Sequence, residues 1–249
     1  ANMVGPLTQV DENGYVKTPV TSEIASVAGN VLTFNSPNPD LQYFQPGDQV
    51  GTSSGFAPVA YQGNGSSQSI DCGFSPSLVW IKCRNEVVSH ALMDTVRGPR
   101  LSLSSDTTGA EVSGENVTAF NSDGFTLSYD SSVNEAGKSY IAWCWEASDT
   151  TVTNNDGTIE SQVRSNGNFS VVSYEGTGAV NTLGLGLNSV PGMVFFKSLD
   201  QTADWLVYHS ALDLSNNLSL NDASAARPDG YWTTTPPTSE VISLSDTSY

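Results

Sequence analysis

Two histidines, one pair of glutamates and a few loop aromatics are the residues of this chain whose types and spacing could do chemistry. His90, in SHA at 89–91, and His209, in YHS at 208–210, each lie just beyond an apolar run, in roughly equivalent regions. A serine hydrolase would need one of them as a base beside its nucleophile. No GxSxG accompanies either, so a histidine in a turn, or partly buried and hydrogen-bonded, is the expectation for both. Glu111 and Glu115 could face each other, and glycoside hydrolysis needs two carboxyl groups about 5–10 Å apart in a cleft. The surrounding TTGAEVSGENV, however, reads as an exposed loop. P-loop, GxGxxG, HExxH and EF-hand spacings do not occur. No catalytic residue and no enzymatic activity are expected.

Binding asks for less. An exposed aromatic can stack on the apolar face of a sugar. Tyr231 and Trp232 follow PDG at 228–230 in such a loop, and Trp205 lies near His209. These three are the candidate glycan-binding residues; the competing and favoured reading puts Trp205 and Trp232 in the core of the second sandwich. The charge balance, 26 Asp+Glu against 9 Lys+Arg for a net of −17, repels phosphate backbones and anionic bilayers, so neither nucleic acid nor membrane is an expected partner. The excess serves solubility, and it leaves Ca²⁺ as the one metal that clustered carboxylates could take. No cofactor is otherwise expected. Cys72, Cys83 and Cys144 are odd in number, lack CxxC spacing and sit in apolar runs, as small buried hydrophobes do. No apolar stretch approaches the ~20 residues of a membrane span, and no signal peptide opens the chain.

The elements that must position these residues are strands. Short apolar runs are separated by Gly, Asn, Asp, Ser and Pro clusters, and helical periodicity is almost absent. QSIDCGF at 68–74 alternates, with Ile70, Cys72 and Phe74 on one face. GFTLSYD at 124–130 puts Phe125, Leu127 and Tyr129 inward in the same way. SLVWIK at 77–82 and SYIAWCWEA at 139–147 are apolar on both faces, so they read as central strands, the first capped by a neighbouring module. Before them, residues 1–56 form a small β-rich unit with a strand at Val31–Phe34, Pro-containing turns at 37–39 and 46–48, and an Asn-Gly hairpin signal in DENGY at 11–15.

An internal repeat sets the organisation. YQGNG at 61–65 matches YEGTG at 174–178, an offset of 113, and PSLVWIK at 76–82 matches PGMVFFK at 191–197, an offset of 115. RLSLSSD at 100–106 matches NLSLNDA at 217–223, and DGFTLS at 123–128 matches EVISLS at 240–245, both at 117. The reading is a first sandwich at 57–147, a polar connector holding a short hairpin at 148–167, and a second sandwich at 168–249. The second copy has no counterpart of SYIAWCWEA, which predicts an open edge. Either this is a fragment of a longer chain, or another chain donates the strand.

GNGSSQSIDCGFSPSLVWIKCRN, HALMDTVRGPRLSLSSDTTGAE and FNSDGFTLSYDSSVNEAGKSYIAWCWEA, in this order, resemble a repeated domain of marine cyanophage tail-fibre and other virion-surface proteins. The lead-in DLQYFQPGDQV and the connector TTVTNNDGTIESQVRSNGNFSVVSYEGTGA are similar to what precedes and joins such domains. The resemblance implies an all-β chain of two tandem antiparallel β-sandwiches of concanavalin A-like, jelly-roll type. It implies a phage virion structural protein, a tail fibre or a head-surface fibre or decoration, made in the host cytoplasm and located in the virion. Its partners would be other virion proteins, further copies of itself (a trimer is the guess) and a host surface glycan. A free carbohydrate-binding module is the alternative.

Overall fold

The computed structural model describes residues 55–228 and 235–245 with their side chains and, of the preceding region, the backbone of three strands at 16–17, 23–28 and 31–35. The chain divides into two compact units, Ala1–Val50 and Gly51–Tyr249. In the first, β1 (Val16–Lys17), β2 (Glu23–Ala28) and β3 (Val31–Asn35) form an antiparallel sheet in sequence order. The strand expected at Val31–Phe34 is β3, and β2 is an addition. Its sequence EIASVA hides the alternation because a register shift between Ile24 and Ser26 pairs Ile24 with Phe34 and Val27 with Leu32. The DENGY signal and the two Pro-containing turns lie outside the described residues.

The second unit is all β; its described residues contain no helix. Its first half runs β4 (Phe56–Gln62), β5 (Gln68–Asp71), β6 (Leu78–Cys83), β7 (Ala91–Asp94), β8 (Leu101–Ser104), β9 (Val112–Ser113), β10 (Val117–Phe120), β11 (Gly124–Leu127) and β12 (Ser139–Trp145). A six-stranded antiparallel sheet in the order β4-β12-β6-β7-β8-β9 faces a three-stranded one in the order β10-β11-β5. Their shared core takes Val79, Ile81, Tyr140, Ala142 and Cys144 from the first sheet and Ile70, Phe125, Leu127 and Val117 from the second. Burying such side chains supplies about 25 cal/mol per Å², which is what makes the alternation in these strands binding. Both doubly apolar strands are central: β12 lies between β4 and β6, and β6 between β12 and β7.

One expected inward residue is not inward. Tyr129 is 59% exposed, because β11 ends at Leu127 and the next amide, Ser128 N–H, turns to the Asn116 carbonyl. The three cysteines are free and buried, as their apolar settings suggested.

The turn after β4 explains the repeated YxGxG. A Cβ on Gly63 would stand 2.2 Å from the Glu135 carbonyl oxygen, and Gly65 has φ +72°, a left-handed backbone that favours glycine. This close approach seats the buried Asn134. Its amide accepts from Asn64 N–H (3.0 Å) and Gln68 Nε2 (2.7 Å) and donates to Ser66 O (2.6 Å) and Ser128 O (3.1 Å).

The second half runs β13 (Val152–Asn154), β14 (Ser161–Ser165), β15 (Ser170–Tyr174), β16 (Asn181–Gly184), β17 (Met193–Phe196), β18 (Leu206–His209), β19 (Leu218–Ser219) and β20 (Val241–Leu244). Its sheets are β13-β14-β15, β16-β20 and β17-β18-β19, all antiparallel, around Leu183, Leu185, Phe196, Leu206, Tyr208, Ile242 and Leu244. Residues 148–167, expected as a connector, carry β13 and β14, and β14 pairs along its length with β15.

Cross-strand partners recur between the halves. Ile70 opposite Phe125 becomes Leu183 opposite Ile242, which keeps the offsets of 113 and 117. Val79 opposite Met93 becomes Val194 opposite Tyr208, at 115. For LSLS the register corrects the sequence match. Leu92 opposite Leu103 becomes Val207 opposite Leu218, so the offset is 115 rather than 117. A motif of period two matches itself when slid by two residues, and only the partner strand fixes its phase. What does not recur is β12. β15 and β17 stand for β4 and β6, yet among the described residues no strand pairs with the second edge of β17.

Candidate functional site: the junction of the two halves

The outer face of β6 carries Leu78 and Trp80, and the second half covers it. Leu92, Leu103 and Trp205 form a buried cluster, with Leu78, Trp80, Leu199 and Leu220 packed against it. Trp80 meets Phe195 edge-on, with ring centroids 6.5 Å apart. Trp205 is the centrepiece. It is 4% exposed, its indole Nε1–H donates to the Ser104 carbonyl at 2.9 Å, and its backbone N–H donates to Asn221 Oδ1 at 2.7 Å. A buried indole is worth most where its N–H finds such a partner.

Trp205 is therefore removed from the candidate glycan platform, since neither ring face is free to stack on a sugar. The other two members, Tyr231 and Trp232, lie outside the described residues.

A charged brace holds the loop that reaches across. Asp94 Oδ1 accepts from Val96 N–H (3.0 Å) and Arg97 N–H (2.9 Å), which folds DTVRG into a tight turn. The Arg97 guanidinium then binds Asp94 Oδ2 through Nε at 2.5 Å and Glu111 Oε1 through Nη1 at 2.7 Å, and donates from Nη2 to the Leu92 carbonyl at 3.2 Å. Two carboxylates thus surround one nearly buried cation. The restrained loop delivers Glu111 N–H to the Leu199 carbonyl (2.8 Å) and the Thr108 carbonyl to Ala203 N–H (2.9 Å). A second contact runs along β12, where Trp145 stacks on Phe169 at 6.0 Å and the Asn166 amide donates to the Glu146 carbonyl at 2.8 Å.

The pair that might have been catalytic is thereby separated in role. Glu111 serves Arg97, while Glu115 pairs with Arg100 at the surface. The histidines lie in roughly equivalent regions, as expected, but at opposite ends of β7 and β18, and are not counterparts. His90 N–H donates to Asp106 Oδ1 as Trp205 N–H does to Asn221 Oδ1, so Trp205 is the counterpart of His90. His209 stands where Asp94 stands. Its Nδ1 accepts from Ala211 N–H at 3.1 Å, the same turn bond that Asp94 makes to Val96. Among the described residues, no three His, Cys, Asp or Glu converge as metal ligands.

Sequence reasoning did not find the Arg97 brace. Its signal was present in an Asp and an Arg three residues apart beside apolar ALM, where a charge must be paired if it is to be buried.

No curated protein and no solved structure matches the chain. The family described as a domain of unknown function (DUF7483) matches residues 51–249, which is the second compact unit with both of its halves. The chain belongs to that family.

Proposed function

We propose that this chain is a phage virion structural protein, a tail fibre or a head-surface fibre or decoration. It is built of tandem jelly-roll sandwiches and assembles as a homo-oligomer with other virion proteins. The observation that carries the reading is the junction. The two halves of the second unit are locked by a shared apolar cluster around Trp205 and by backbone bonds from Glu111 and Ala203, as a stiff spacer requires. The sequence resemblance to cyanophage fibre domains, the net charge of −17 and the commitment of Glu111 to Arg97 support the same reading. A host-surface glycan is the expected ligand at the far end of such an appendage. Mass spectrometry of purified particles from the phage that encodes the chain tests the proposal. Its peptides are expected at structural-protein abundance, and their absence from intact particles would sink it.

A further inference from the structure

We propose that the gap between β15 and β17 is a strand-acceptor site. Its occupant is an extended antiparallel segment with the pattern of β12, small or aromatic residues inward and large apolar ones outward, from outside these 249 residues. The inference stands on the repeated registers and not on the virion reading.

The first half shows what belongs there. β12 pairs with β4 from Ser139 opposite Gln62 to Trp145 opposite Phe56, and with β6 from Tyr140 opposite Cys83 to Trp145 opposite Leu78. By the offset of 115, the edge waiting in the second half is Met193, Val194, Phe195 and Phe196. By the offset of 113, the facing edge is Ser170–Tyr174.

Three observations mark the gap as unfilled. Met193 and Phe195 are 51% and 41% exposed, although they are large apolar residues in a strand. Val194 is only partly buried against the second core, whereas its counterpart Val79 is fully buried. Gly178 keeps the left-handed backbone of Gly65, at φ +67°, and among the described residues a Cβ there would meet nothing within 4 Å, where one on Gly65 would meet Ala136 at 3.2 Å. Among the described residues the loop that leads into β12 therefore has no counterpart beside Gly178.

The β12 of a second copy is not the source. The β12 of another copy is already seated between its own β4 and β6, and moving it would open one site to close another. Strand addition to an open edge gains backbone hydrogen bonds for affinity and side-chain pockets for specificity. The pairings carry over by register: Ala142 of the pattern would meet Phe196 and Val172, Trp143 would meet Phe195, and Tyr140 would stack on Tyr174 as it does on Tyr61 at 5.3 Å.

The test adds a lysine-flanked peptide carrying SYIAWCWEA to the 249-residue chain and reads amide exchange by mass spectrometry. Exchange over Met193–Phe196 and Ser170–Tyr174 is expected to slow by about ten-fold or more, with Leu78–Cys83 unchanged. A peptide of the same composition with its alternation shifted by one residue is expected to give no protection, because every side chain would then face the wrong way. Absence of protection, or equal protection by the shifted peptide, would overturn the proposal. So would self-association of the chain through β17 that the peptide does not compete.

Discussion

Asp94 and His209 solve one problem with different atoms. Each ends a strand and accepts a hydrogen bond from the amide two residues on, by a carboxylate oxygen at 3.0 Å in one half and a ring nitrogen at 3.1 Å in the other. Only the carboxylate can also hold a cation, so the Arg97 brace belongs to the first half alone, and the second half braces itself by Arg227 on Asp204. Removing Arg97 leaves Asp94 and Glu111 without their cation in a largely buried setting, which costs about 3–5 kcal/mol for a broken buried pair. Arg97→Ala is therefore expected to lower the unfolding free energy read from urea titration by an amount in that range, and Arg100→Ala, at an exposed pair, by about 1 kcal/mol or less. Equal effects of the two variants would contradict the distinction. At this scale the sequence was legible where alternation rules, as at Ile70, Cys72 and Phe74. It was illegible where a residue's partner is remote, as for Arg97 and Glu111.

β12 is the element on which the first half depends. It bridges β4 and β6, places Tyr140, Ala142 and Cys144 in the core, and anchors the incoming loop, whose Glu135 N–H donates to Tyr140 Oη while that hydroxyl donates to the Ser131 carbonyl. Burial pushes the Tyr140 hydroxyl up to about 12 and raises Tyr61 beside it further. A hydroxyl whose pKa is raised by folding favours the folded state fully below the unfolded value of about 10. That contribution is lost as the pH rises through the folded value, at about 1.4 kcal/mol per pH unit for each group. The melting temperature is therefore expected to fall between pH 10 and pH 12. Tyr140→Phe is expected to start lower at pH 7 and decline less steeply, and a parallel decline would contradict the assignment. The identity of β12 as a central strand was readable from its two apolar faces. Its neighbours were not, since local pattern carries no information about which strands lie beside it, and the same blindness to partners slid LSLS by two residues.

As a whole, the second unit has two halves with recurring cross-strand partners, joined through the outer face of β6. Trp205 carries the joint, and replacing a buried Trp by Ala costs about 3–5 kcal/mol. Trp205→Ala is expected to separate thermal unfolding of residues 51–249 into two calorimetric transitions, the second half melting first, where the parent chain is expected to give one. A single transition shifted without splitting would mean that the halves are not separable units. The recurrence of cross-strand partners between the halves was legible from residue spacing. That the polar stretch 148–167 builds sheet with β15 was not, because Val163 is its one deeply buried apolar residue and its alternation is weak. The account stands most directly on the equivalence of β6 and β17, one enclosed on both edges and the other, among the described residues, on one. Native-state amide exchange on the chain alone compares them. Leu78–Cys83 is expected to exchange near the global unfolding limit, and Met193–Phe196 faster by about a hundred-fold or more. Equal protection of the two strands would contradict the open edge and the reading of the second half as an incomplete copy of the first.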